Sequence, residues 1–231
     1  MLSPPLLSVS LLLLPLSLST FLLSLPLPTT PESSPLTPSP PPTTHRKHFL
    51  RILSLSLLLR SILLPLKFNQ ELTTIALTVP SYLFFLGYLV SINFMKEVTG
   101  QKQSYVIAYI SFLLLFLIFL TTSGPLLIIL INTLEIFVYI YLTFSLVTNF
   151  SRLKAAGFWG GLGEVEGRVR GFVWGIGVTF FVKVMFCVGV VAEEVMGEGG
   201  VSVEDVRAIV ILATEFVPVA AVVWGMRGRR T

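Results

Sequence analysis

Residues 104–150, SYVIAYISFLLLFLIFLTTSGPLLIILINTLEIFVYIYLTFSLVTNF, carry a single charged side chain in 47 positions, Glu135. A helix at the surface of a soluble protein sets a charged face opposite its apolar stripe. This stretch has no charged face, and it is about twice the roughly 20 apolar residues that one helix needs to cross a bilayer. Ser123-Gly124-Pro125 divides it, because glycine opens a turn and proline is tolerated at the first helical position. It therefore reads as two consecutive membrane helices, 104–122 and 125–150.

Working outward, apolar runs of similar length recur at 49–66, 73–95, 171–192 and 206–226. The fold class is thus all-α, a polytopic membrane helix bundle with six helices and room for a seventh at the N-terminus. Composition agrees: 54% of the 231 residues are hydrophobic, 12% are charged and the mean hydropathy is +0.86. A soluble domain carries about 25% charged residues. A water-soluble globule and a large extramembrane domain are both excluded. The single cysteine, Cys187, rules out an intramolecular disulfide.

Of the 15 prolines, 11 fall in residues 1–48, whereas every glycine lies at Gly87 or later. Residues 1–48 read as a Leu/Ser/Pro leader followed by a Pro/Ser/Thr linker, and 49–231 as the bundle. For the apolar 1–28, a first span, a cleaved signal and a low-complexity segment all stay open. With a first span the chain has seven helices, N-terminus out and C-terminus in.

The sparse charges orient the chain. Alternating sides across the six runs, one side receives 12 Lys and Arg residues and the other 2, while Arg60 and Lys183 fall inside runs. Such asymmetry marks the richer side as cytosolic, and the C-terminus with it. The net charge of +4 is topology of this kind, and direct nucleic-acid binding is not expected. Asn149-Phe150-Ser151 matches a glycosylation acceptor, but on the cytosolic end of its helix it is expected to stay unmodified.

Arg60, Glu135, Lys183 and Glu215 lie near the middle of their runs. At about 1.5 Å per residue they share one depth to within a helical turn. Charged groups there cost about 2.5–3.5 kcal/mol each, so they face the bundle interior and pair. Lys183 with Glu215, on consecutive antiparallel helices, is the most economical pair. Both a packing role and a ligand, ion or proton site are open. Pro80 and Pro218 predict kinks, and Gly171 with Gly175 forms a G-x-x-x-G that offers a close-packing face. The segment 151–170, with Arg152, Lys154, Phe158, Trp159, Arg168 and Arg170, is the longest cytosolic surface and the expected partner loop. Its glycines lack G-x-G-x-x-G spacing. No catalytic constellation is present, so neither enzyme activity nor a metal or other cofactor is expected; His45 and His48 read as a solvated basic flank.

Several stretches together resemble the plant tobamovirus multiplication protein family. They are Phe49-Leu-Arg-Ile-Leu with Arg60; Val79-Pro80-Ser81-Tyr82-Leu83-Phe84-Phe85 with Tyr88; Gly171-Phe172-Val173; Phe180-Phe181-Val182-Lys183; and Thr214-Glu215-Phe216-Val217-Pro218. The resemblance implies a seven-helix, receptor-like protein, mostly of the vacuolar membrane, that anchors viral RNA-replication complexes with a small Arf-like GTPase. It places Arg60, Pro80, Lys183, Glu215 and Pro218 on positions the family keeps as basic, proline, basic, acidic and proline. Lys183 stands where the family has Arg, Thr78 where it has an acid, and Val210-Ile211 where it has a Tyr pair. The expectation is a receptor-like endomembrane protein recruiting cytosolic partners; the alternatives are a small-solute or proton transporter using the midplane charges and a G-protein-coupled receptor.

Overall fold

The computed structural model describes residues 4–25, 43–66, 70–155, 163–196 and 209–220. Among these, the chain is helical and has no strand: α1 Pro4–Ser24, α2 Thr43–Leu63, α3 Gln70–Val98, α4 Val106–Thr121, α5 Gly124–Ala155, α6 Gly163–Met196 and α7 Ile209–Ala220. The turn read from Ser123-Gly124-Pro125 is present: Gly124 has φ +62°, in the left-handed region that glycine enters without Cβ strain.

Packing follows a closed ring. α1 lies on α2, α2 on α3, α3 on α5, α5 on α6, α6 on α7, and α7 returns to α1, while α4 sits outside against α5. Side-chain contacts fix the directions. Phe49 meets Tyr88, Ser56 bonds the Pro80 carbonyl and Arg60 the Leu77 carbonyl, so α2 and α3 are antiparallel. Tyr139 meets Phe180 and Glu135 meets Lys183, so α5 and α6 are antiparallel too. The start of α2, the ends of α3 and α5 and the start of α6 therefore share one end of the bundle, as the charge count requires.

The leader is a helix in the same core. Val9, Leu13, Leu16 and Leu23 of α1 are buried in the main apolar cluster with Leu50, Leu53 and Leu57 of α2. Ser10, Ser17 and Ser24 recur every seven residues, and on α2 Ser54 and Ser61 do the same. Small side chains let the backbones approach, and polar hydroxyls in a bundle find partners across it. The Ser17 hydroxyl donates to the Ser54 carbonyl and the Ser54 hydroxyl to the Ser17 carbonyl, both at 2.9 Å, while Ser10 donates to the Ser61 carbonyl.

Of the six predicted spans and the possible first one, α1, α3, α5 and α6 are, among the described residues, long and apolar enough to cross a membrane. α2 carries His, Lys and Arg residues that lower its hydropathy, and α4 at 16 residues is about 24 Å long against a core of about 30 Å. Of the predicted run 206–226, only 209–220 lies within the described residues. The protein is a membrane-embedded, all-α helical bundle.

Two further expectations change. α6 already begins at Gly163, so Arg168 and Arg170 stand on a helix rather than in a loop. Glu164 and Glu166 in its first turn favour that earlier start, because acids stabilise the positive N-terminal end of a helix. The G-x-x-x-G reading finds no close neighbour at Gly175: among the described residues, a Cβ added there would meet nothing within 4 Å. Close approach occurs at Gly87 instead, where a Cβ would lie 3.1 Å from Leu53 Cδ2.

Candidate functional site: a paired charge core

Arg60 is 2% and Glu215 3% exposed. The Arg60 fork donates from Nε to Glu215 Oε2 at 2.8 Å and from Nη2 to Oε1, a two-point contact that only the planar guanidinium makes. Nη1 donates to the Leu77 carbonyl at 2.7 Å, and Nη2 also reaches Ser81 Oγ at 2.8 Å. This pair is fully enclosed.

Both prolines shape it. Pro80 has no N–H for the Ala76 carbonyl and crowds that turn of α3; the next carbonyl, Leu77, is the one Arg60 uses. Pro218 likewise has no N–H for the Thr214 carbonyl. The turn ahead of it widens into a π-helical segment, Leu212–Phe216, in which the Val217 N–H bonds the Leu212 carbonyl five residues back. Such bulges re-aim side chains and recur at functional sites. Here the bulge carries Glu215 to α2.

The second pair is looser. Lys183 Nζ lies 3.3 Å from Glu135 Oε2, and the Cys187 thiol reaches the same oxygen at 3.5 Å. Lys183 also stands 5.9 Å from the Phe186 ring centroid. The Glu135 side chain is 15% exposed, against 3% for Glu215.

All four predicted midplane charges thus converge, but with exchanged partners: Lys183 pairs with Glu135, and Glu215 with Arg60. Equal depth on consecutive helices favoured Lys183 with Glu215. Ring closure, which sets α7 against α1 with Glu215 within reach of Arg60 on α2, and the π-helical turn decided otherwise. The pairs stay within electrostatic reach, Arg60 with Glu135 and Lys183 with Glu215. Tyr88 and Tyr139 flank Phe180 at 4.9 and 5.4 Å beside this level.

A small pocket of about 20 Å³ adjoins the core between α3, α4 and α5, walled by Thr78, Ser81, Tyr82, Ser111, Glu135 and Tyr139 together with apolar side chains. Among the described residues no group of three or more His, Cys, Asp or Glu is placed to hold a metal ion.

At the basic end, Arg152 and Lys154 close α5 and are exposed. Arg152 Nη1 donates to Gln101 Oε1 at 2.9 Å, tying α5 to the α3–α4 turn. Phe158 and Trp159 lie outside the described residues, as do the side chains of Arg168 and Arg170. Sequence reasoning missed Ser81 and the Leu77 carbonyl as Arg60 partners, and missed the serine pairs joining α1 to α2. The seven-residue spacing of Ser10, Ser17 and Ser24 was the signal for the latter. No known protein family, no curated protein and no solved structure matches the chain.

Proposed function

We propose that the chain is a receptor-like multi-pass protein of a vacuolar or endolysosomal membrane that recruits cytosolic partners, a small Arf-like GTPase or trafficking factors first among them. One observation carries the reading. The alternating helices gather Arg51, Lys102, Arg152 and Lys154 as exposed cations at a single end of the bundle, with Gln101 and Arg152 linking two of the segments there. Behind that end lies a core whose charges bind one another, which suits a part that holds helices in place. Resemblance to the tobamovirus multiplication proteins supports the partner class and, by extension, viral replication proteins. Proximity labelling from the C-terminus tests it. Small GTPases should be enriched and then lost in Arg152→Gln/Lys154→Gln at equal expression; a partner set that contains no GTPase or trafficking factor sinks the reading.

A second reading, small-solute or proton transport, draws on the looser Glu135–Lys183 pair beside the pocket. Reconstituted vesicles that show uptake lost in Glu135→Gln would favour it, and inert vesicles would remove it.

A further inference from the structure

α4 meets the bundle chiefly through α5 and turns large apolar side chains outward along its length, Val106, Phe112, Phe116 and Leu120 among them, so its surroundings are lipid. Residues 101–105, which lead into it, are not helical, and Lys102, Gln103 and Tyr105 among them are exposed. Non-helical backbone facing lipid is not tolerated in the hydrocarbon region, where its N–H and C=O groups would find no partner. The membrane surface therefore descends to the first turn of α4. At about 24 Å against a core of about 30 Å, α4 draws the bilayer in by about 6 Å on this side. Tyr105 and Tyr109 mark that level. They lie four residues apart at the start of α4 and are exposed, Tyr109 by 75%, and such amphipathic rings settle where the headgroups begin.

Above the tyrosines the elbow between α3 and α4 is held firmly. Asn93, fully buried, grips Ser104 at two points: the Ser104 N–H donates to Asn93 Oδ1 at 3.1 Å, and Asn93 Nδ2 donates to the Ser104 carbonyl at 3.2 Å. The Gln101 N–H donates to the Lys96 carbonyl at 2.8 Å, and the Gln101 side chain accepts from Arg152. Glu97, the acid nearest in the chain, accepts from Gln103 Nε2 at 2.8 Å. Lys102 and Arg152 are both exposed, and among the described residues neither makes an ion pair; Arg152 commits one N–H of its fork to a neutral partner. We propose that this elbow binds the headgroup of an anionic phospholipid, with Lys102 and Arg152 on its phosphate and Tyr105 and Tyr109 against its glycerol and upper acyl chain. A zwitterionic headgroup would bring its own cation to a place that already holds two. The inference rests on neither functional reading above, and its test involves no cytosolic protein and no transport.

Arg51 supplies the control, an exposed cation at the same end of the bundle but on α2, separated from α5 by α3 in the ring. The full chain is released from nanodiscs of equal phosphatidylglycerol and phosphatidylcholine and its bound lipids are counted by native mass spectrometry. Each Lys or Arg beside an anionic headgroup counts roughly fivefold in affinity, so a single phosphatidylglycerol should be retained roughly 25-fold over phosphatidylcholine. Lys102→Gln should lower that preference roughly fivefold, Lys102→Gln/Arg152→Gln should bring it near parity, and Arg51→Gln should leave it unchanged. Both replaced side chains are exposed, so these variants keep the fold, with circular dichroism as the check. Equal retention of the two lipids by the wild type would overturn the proposal. So would a loss in Arg51→Gln as large as in Lys102→Gln, the mark of a diffuse basic surface, and so would displacement of the lipid by millimolar inorganic phosphate, the mark of a free-anion site.

Discussion

Replacing Glu215 with Leu strips the Arg60 guanidinium of its counter-charge while leaving it enclosed. Two of its acceptors survive, the Leu77 carbonyl and Ser81 Oγ, but Nε loses its acceptor and the ion pair is gone. Breaking one side of a buried pair costs about 3–5 kcal/mol, chiefly because the remaining charge stays buried. The surviving acceptors put Glu215→Leu near 3. For a chain of this size 1 kcal/mol corresponds to roughly 2–4 °C in Tm, so a fall of at least roughly 6 °C is expected. Removing both charges, in Arg60→Met/Glu215→Leu, should recover most of it, since a buried pair exchanged for apolar groups of similar volume is about neutral. The looser pair provides the contrast: Lys183→Met should cost only about 1–3 kcal/mol, because Glu135 is partly exposed and adjoins the pocket. Cys187, the only cysteine and fully buried, allows unfolding to be followed with a thiol-reactive dye, with circular dichroism as the check for the Lys183 variant. A Glu215→Leu protein as stable as the wild type, or a double variant no better than its worse parent, would refute the reasoning.

The serine pairs predict that Ser17→Cys/Ser54→Cys in a Cys187→Ala background cross-links on mild oxidation, while Ser10→Cys/Ser54→Cys does not; the two hydroxyls of the first pair lie 3.3 Å apart. At Gly87, valine should destabilise by about 1–3 kcal/mol through overpacking against Leu53, and Leu53→Ala should relieve it in a thermal melt. Pro218→Ala returns an N–H to the Thr214 carbonyl and should draw Glu215 back into an α-helical register. A double-mutant cycle of Arg60 with Glu215 should then give a smaller coupling than in the wild type. Asn149 is 2% exposed and donates to the Ser145 carbonyl, so glycosidase treatment should leave the mobility of the protein unchanged.

How legible this protein is depends on the kind of force involved. Hydropathy is a local property, so residues 104–150 reveal two helices and the turn at Gly124 without any tertiary information. The alternation of Lys and Arg gives their directions, and the antiparallel contacts of α2 with α3 and of α5 with α6 agree with it. Depth along a helix is also arithmetic, which is why Arg60, Glu135, Lys183 and Glu215 were expected at one level. Azimuth is not. Which cation meets which anion depends on the rotation of each helix about its axis, and a π-helical turn of five residues, Leu212–Phe216, changes that rotation where 3.6-residue periodicity assumes it constant.

By itself, then, the sequence determined the membrane class, the helical architecture, the separation of a basic end and the four charges that must be neutralised inside. Only the tertiary structure decided that α1 belongs to the bundle, through hydroxyls exchanged with α2, and that α7 closes the ring onto it. It also decided that Arg60 takes Glu215 while Lys183 takes Glu135. The reason is physical: burial and charge balance are sums over a chain, whereas pairing depends on directions in space, which emerge only once the helices have packed.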